Sequence, residues 1–218
     1  RLEIEPKYVD RTVVRSLDDP IQPMGGLVSL FGSLAPKGAI LKRSAADPKL
    51  FETEGRAVVF SSLEDLSLRI DDPALDVEEN DILILQNAGP KSDAAMPEAG
   101  YLPIPKKLAR AGVKDMVRIS DARMSGTAYG TIVLHVTPEA AVGGPLALVK
   151  NGDRIKISVK NRSLDLLISE EEMQNRLKKL HIKSPPTYHR GYKKLYYDTV
   201  LQADGGCDFD FLRDPSLL

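Results

Sequence analysis

The residues able to do chemistry are concentrated in one stretch, Val117-Arg118-Ile119-Ser120-Asp121-Ala122-Arg123-Met124-Ser125-Gly126-Thr127-Ala128-Tyr129-Gly130. An apolar run stops there at a polar turn, and the chain then re-enters the β-branched run at 131–136. Two hydroxyls, a guanidinium and a carboxylate stand among small residues that let a ligand approach the backbone, so the turn is suited to holding a small polar molecule. Ser125 is a candidate nucleophile or base, but no His or Lys sits beside it in sequence to activate it. A serine in a turn is more often a cap or turn former, and on the residues alone both readings stand.

Other candidates are weaker. Glu98 follows Met96-Pro97 in an aperiodic loop and is a possible hard-cation ligand for Mg²⁺, although a solvated glutamate is the default. His135, His181 and His189 are too scattered for a zinc signature, and His135, inside an apolar run, reads as a hydrogen-bonded core residue. The basic run Arg190-Gly191-Tyr192-Lys193-Lys194 reads as a solvated helix face. Three Gly-containing loops, at 32–38, 87–91 and 125–127, match no phosphate-binding fingerprint, and each is more often a tight turn than a binding loop. Each follows a predicted strand, which would let them gather at one rim of a sheet.

The elements that must position these groups are mostly short strands. Runs rich in β-branched residues at 27–31, 39–42, 56–60, 81–85, 116–120, 131–136, 146–149, 154–159 and 164–168 alternate with turn signals. Helices are fewer. Ser62 caps a segment running to about Ile70, Pro105 opens one closed by Gly112, and Ser169-Glu170-Glu171-Glu172 is a capping box leading to about Leu180. A last helix is expected over 192–202 from the spacing of Tyr192, Leu195, Tyr196 and Thr199. The pattern predicts an α+β, mixed β-barrel-like core with peripheral helices, and residues 1–22 read as an arm or linker.

The 218 residues fit one domain, with 42% hydrophobic and 28% charged residues able to bury a core. A net charge of −1 gives no global field for nucleic acid or an anionic membrane. The apolar runs fall far short of the roughly 20 residues a membrane span needs, and no secretory signal is visible. Cys207 is the single cysteine, so an intrachain disulfide and a cysteine-rich metal site within the chain are both excluded. The opening Arg-Leu-Glu-Ile-Glu-Pro, without an initiator Met, reads as that of a fragment or processed product. A cytoplasmic location is expected, or a mitochondrial one for a eukaryotic source.

In order and spacing, residues 23–192 resemble the C-terminal domain of the dihydroxy-acid, phosphogluconate and sugar-acid dehydratases. The landmarks are Gly25-Gly26-Leu27, Gly32-Ser33-Leu34-Ala35-Pro36-Lys37-Gly38-Ala39, Gly89-Pro90-Lys91, Met96-Pro97-Glu98 and Ile119-Ser120-Asp121-Ala122-Arg123-Met124-Ser125-Gly126-Thr127. After them come His135-Val136-Thr137-Pro138-Glu139-Ala140-Ala141, Gly143-Gly144-Pro145-Leu146-Ala147-Leu148-Val149, Asn151-Gly152-Asp153 and Asn161-Arg162. The Gln86-Asn87-Ala88-Gly89-Pro90 loop and the tail Ala203-Asp204-Gly205-Gly206-Cys207-Asp208-Phe209 are similar to the sugar-acid branch. The sequence departs from the family at Ser92-Asp93-Ala94-Ala95, where a glycine-rich stretch is usual, and at Ser33, where Asn is common.

The resemblance implies a swivelling β/β/α domain, covering 23–183 with a C-terminal helix and tail at 184–218. It implies a hydro-lyase that converts a 2,3-dihydroxy carboxylate to a 2-keto-3-deoxy acid with an iron–sulfur cluster (2Fe-2S or 4Fe-4S) and Mg²⁺. On it, Ser125 matches the serine base, Thr127 and Arg123 lie with the substrate, and Glu98 matches the one Mg²⁺ ligand this domain supplies. It places the cluster ligands in an N-terminal domain that this chain lacks, with no iron–sulfur ligand here. The chain alone is therefore expected to be inactive, with a homo-oligomer expected for the full protein and neither nucleic acid nor membrane as partner. Two other readings are the same domain of a branched-chain dihydroxy-acid dehydratase and a free-standing binding or regulatory subunit.

Overall fold

A computed structural model describes residues 10–97, 102–127, 129–182 and 188–213. Among the described residues, eight strands form one sheet: β1 (Leu27–Leu30), β2 (Gly38–Lys42), β3 (Glu52–Phe60), β4 (Ile82–Leu85), β5 (Arg118–Ser120), β6 (Ile132–Thr137), β7 (Arg154–Ser158) and β8 (Ser163–Leu166). Their order is β1-β2-β6-β5-β4-β3-β7-β8. The four central strands β3, β4, β5 and β6 are parallel, and antiparallel pairs flank them on both sides. A bridge between Phe31 and Ser163 joins the two ends, with Phe31 N–H donating to Arg162 O at 2.9 Å and Leu164 N–H to Phe31 O at 2.8 Å. The sheet thus closes on itself, as the expected barrel-like α+β core.

The sequence explains which strands lie where. Parallel strands are covered on both faces and so read as continuous apolar runs, as in Ile82-Leu83-Ile84-Leu85, every residue of which is buried. Successive side chains alternate: Ile82 and Ile84 join Leu41, Val59, Ile119, Val133, Ile157 and Leu164 inside the barrel. Leu83 and Leu85 join Phe60, Leu66, Met116 and Leu134 in a second core on the outer face. In the flanking β7, exposed Arg154 and Lys156 alternate with fully buried Ile155 and Ile157.

The helices α1 (Leu63–Arg69), α2 (Lys106–Arg110), α3 (Glu170–Lys179) and α4 (Tyr192–Thr199) are peripheral. Ser62 Oγ accepts the Asp65 N–H and Ser169 Oγ the Glu172 N–H, both at 3.1 Å, so both predicted caps form. Helix α4 ends earlier than its spacing predicts, because Val200 leaves it to bridge Phe209 of the tail. Residues 146–149, expected as a strand, instead form a 3₁₀ turn (Pro145–Leu148). Pro145 cannot donate to a ladder, and the buried Gln86 amide takes the carbonyls of Leu146 and Val149 at 2.8 and 3.1 Å.

Topology decides where the candidate loops go. The parallel strands end at one rim, and antiparallel β2 brings Gly38 opposite Thr137 there, so the loops at 32–38 and 87–91 do gather. The third does not stay with them. Because β6 is parallel to β5, the 121–131 connection must return to the opposite rim, and its described residues do so without a helix. By Gly130, whose N–H donates to Ala45 O at 2.8 Å, it has reached the end from which β2 departs. Ser125 therefore sits on a strap running between the rims.

Candidate active site

The strap is tied at its start, middle and end. At the start, buried Asp121 accepts the Ala88 N–H on one carboxylate oxygen and the Ala140 N–H on the other, each at 2.8 Å. One side chain thereby joins the loops that follow β4, β5 and β6. Neighbouring Glu139 accepts the Lys91 N–H at 2.9 and 3.0 Å and the Gln202 amide at 2.5 Å, which brings the C-terminal tail to the same rim. A Cβ at position 89 would overlap the Glu139 carboxylate, so Gly89 is what lets that loop close on it.

At the far end, Arg118 is buried with Asp115. Its guanidinium donates to Asp115 Oδ1 at 3.2 Å, Tyr129 O at 3.1 Å and Leu102 O at 3.1 Å. The Asp115 carboxylate accepts the Thr131 N–H, the Thr131 hydroxyl at 2.7 Å, the Met116 N–H and the Asp47 N–H. Gly130, at φ 98°, packs directly on this pair where a side chain would collide with both partners.

In the middle, His135 Nε2 accepts the Met124 N–H at 2.9 Å, the Pro97 carbonyl accepts the Arg123 N–H at 3.2 Å, and the Lys42 ammonium donates to Gly126 O. Between these ties, Ser125 is half-buried and Thr127 exposed. The Thr127 N–H donates to Ser125 Oγ at 3.3 Å, and the two side-chain hydroxyls lie 3.2 Å apart. Thr127 thus presents its N–H and its hydroxyl to the Ser125 oxygen.

Beside the strap opens a cavity of about 540 Å³, lined by Arg123, Met124 and His135 on one side, Lys37 and Phe31 on another, and the tail at Asp204 and Cys207. Lys37 and Asp204 pair across it at 3.6 Å. Ser125 and Thr127 continue the strap just past this lining. Glu98 lies outside the described residues, one position beyond Pro97. Cys207 Sγ sits 3.3 Å from Met96 Sδ, and burial pushes its thiol pKa up. Among the described residues no three His, Cys, Asp or Glu side chains gather as a metal site, and no helix is long and apolar enough to cross a membrane.

Burial pushes Asp121 up to about 7, against 3.8 for the free group, and also raises Glu139. Between about pH 4 and 7 the folded chain holds a proton that the unfolded chain has released. Stability therefore falls as pH rises through that window, by up to a few kcal/mol. In urea unfolding at a series of pH values, Asp121→Asn is expected to flatten this slope. It is also expected to lower stability throughout by about 1–3 kcal/mol, because an amide NH₂ then faces a backbone N–H. An unchanged slope would show that Asp121 does not titrate there.

The sequence model for the dihydroxy-acid/6-phosphogluconate dehydratase C-terminal domain matches residues 12–207. The chain belongs to that family. It is 54% identical to a putative dehydratase, IlvD1, of Rhizobium meliloti (strain 1021), over 94% of this chain and 35% of that protein. It is 51% identical to the L-arabonate dehydratase of Azospirillum brasilense, over 95% of the chain and 36% of the relative. Identity is also 51% to the 6-deoxy-6-sulfo-D-gluconate dehydratase of Pseudomonas putida, over 94% and 36%. This dehydratase C-terminal domain thus spans about a third of the length of the curated relatives it matches.

Of the residues that sequence reasoning singled out, the structure brings Arg123, Ser125 and Thr127 together on the strap, with Pro97 beside them. Lys42 and Asp115 were not singled out, Arg118 figured only within the 117–130 stretch, and Glu139 only within a landmark. Lys42 ends a strand, and nothing in its neighbourhood marks it. The acidic and basic residues at 115 and 118 carry a spacing of three but no other signal. His135 is hydrogen-bonded as expected, though its partner is the strap and not the core.

Proposed function

We propose that this chain is the base-supplying domain of a hydro-lyase that dehydrates a sugar acid to a 2-keto-3-deoxy acid. The observation that carries the reading is the Thr127 N–H donating to Ser125 Oγ, with the Thr127 hydroxyl 3.2 Å from the same oxygen, on a strap fastened at both ends. An ionised Ser125 Oγ takes the proton from the carbon bearing the 2-hydroxyl, and the electrons of that C–H bond form the enol double bond as the 3-hydroxyl departs. Thr127 holds the alkoxide through its N–H and hydroxyl. Arg123, exposed at the cavity, meets the acid's charge. The Lys42 ammonium at Gly126 O adds positive charge beside the turn.

An iron–sulfur cluster and Mg²⁺, which the family resemblance implies, would supply Lewis acidity for the departing hydroxyl and for the acid. One cysteine cannot hold a cluster. The cluster and most Mg²⁺ ligands then come from the remainder of a longer protein, to which this domain adds Glu98. The Arg123 N–H to Pro97 bond supports that role, because it keeps the segment leading to Glu98 against the strap.

Two named relatives act on sugar acids, as their names state, which favours an aldonate over a branched-chain dihydroxy acid. A substrate panel on the longer protein, with cluster and Mg²⁺ reconstituted, is expected to show kcat/KM for a pentonate or hexonate at least about tenfold above that for a branched-chain dihydroxy acid. That ratio corresponds to about 1.4 kcal/mol of transition-state discrimination. The reverse order would assign the branched-chain reading, and the 218-residue chain alone is expected to give no turnover.

A further inference from the structure

The pairing of β2 with β6 contains an irregularity whose purpose the fold alone does not explain. Gly38 faces Thr137 and Ile40 faces Leu134, so three steps on β6 are matched by two on β2. The extra residue is His135, at φ 56°, a left-handed conformation uncommon for a non-glycine residue. A bulge of this kind re-aims a side chain, and such features recur beside active sites. The His135 N–H bonds Ala122 O at 3.0 Å, just past the end of β5, and the imidazole lines the cavity beside the strap. Nε2 then accepts the Met124 N–H at 2.9 Å.

Two bonds from one residue thus bracket 122–124, the segment immediately before Ser125. An imidazole that accepts at Nε2 carries its proton on Nδ1 and is neutral. Once protonated, the ring has donors at both nitrogens, and Nε2 can no longer accept the Met124 N–H. We infer that His135 is a positioning residue for the base: its neutral ring fixes the Met124 amide and thereby the place of the Ser125 hydroxyl. The assignment of a catalytic consequence rests on the dehydratase reading above.

The surroundings favour the neutral ring. Burial, followed by the Arg123 guanidinium, holds the His135 pKa below its ordinary 6.5. Lys37 from the loop before β2 and Asp204 of the tail, paired at 3.6 Å, line the same cavity together with Cys207. Asp121, next to Ala122 in the chain, also titrates near this range. Because the folded pKa is depressed, the bond is complete above the ordinary histidine value and is lost as pH falls below it.

The test uses three forms, the natural one, His135→Gln and His135→Asn. Glutamine reaches as far as Nε2 with an acceptor oxygen that does not titrate. Asparagine tolerates the left-handed backbone but is too short to reach Met124. On the 218-residue chain, the hydrogen-exchange protection of the Met124 amide, corrected for intrinsic rate, is read by NMR between about pH 8 and pH 5. The natural form is expected to lose protection about tenfold or more on acidification, His135→Gln to keep it at both ends, and His135→Asn to lack it at both. In the longer protein, kcat for an aldonate is expected to fall about tenfold in His135→Asn with KM little changed, and to recover in His135→Gln with a flattened acid limb.

Protection of Met124 that is independent of pH in the natural form, or equal in all three, overturns the inference. So does full kcat in His135→Asn. If the natural longer protein dehydrates neither an aldonate nor a branched-chain dihydroxy acid, the dehydratase reading falls and the catalytic role of His135 falls with it. The amide measurement still decides the contact by itself.

Discussion

Ser125→Ala is expected to lower aldonate turnover by the longer protein about 10²–10⁴-fold while leaving KM and stability almost unchanged. The split follows from where the hydroxyl stands. Ser125 is half-buried, and its bonds run to Thr127 two residues away, so removing Oγ opens no core cavity and strands no buried partner. Denaturant stability is therefore expected to move by less than about 0.5 kcal/mol. Thr127→Val separates the two donors, since it deletes the hydroxyl but keeps the N–H, and a smaller loss of about tenfold is expected. Should Ser125→Ala retain more than about a tenth of the natural kcat, another group is the base, and the strap is a binding element only.

The second large effect is on stability. Asp115→Ala is expected to lower the unfolding free energy of the 218-residue chain by about 3–5 kcal/mol, read as a shift in the urea midpoint. The Asp115 and Arg118 side chains are only 8% and 9% exposed, so truncating one leaves the other's charge in a poorly solvated place. The same carboxylate accepts from the backbones of Asp47, Met116 and Thr131, and all three donors lose a partner together. Asp115→Asn keeps the shape but not the charge and should cost less. A loss below about 1 kcal/mol for Asp115→Ala would mean that water replaces the carboxylate there, and that the strap end is held mainly by the Gly130 to Ala45 bond.

What could be read from the chain alone follows the range of the forces involved. The β4 run is unambiguous because four consecutive apolar residues need cover on both faces, and Ser62 and Ser169 announce helices because a cap acts over three positions. Residues 146–149 mislead because what decides them, the Gln86 amide, stands 60 positions away. The Asp121-to-Gly130 segment is visible as chemically dense, yet its path from rim to rim follows from β6 lying parallel to β5, which no local pattern encodes. The bulge at His135 is likewise set by a partner strand, so its alternation breaks without a turn residue to mark it. Glu98 is a lone carboxylate to which only the resemblance gives a specific role, and it falls outside the described residues.

The seam between β1 and β8 also bears on how this domain meets other chains. Ser33 Oγ accepts the Leu166 N–H at 2.9 Å and lies 3.3 Å from Leu166 O, while the Ser33 N–H finds Asp165 Oδ1 across 132 positions of sequence. A hydroxyl here stands in for strand backbone. The sheet consequently offers little of the open edge on which a foreign strand could add itself, the usual route to edge-to-edge aggregation. Where the seam is joined, its backbone groups are already taken and give no template for an added strand.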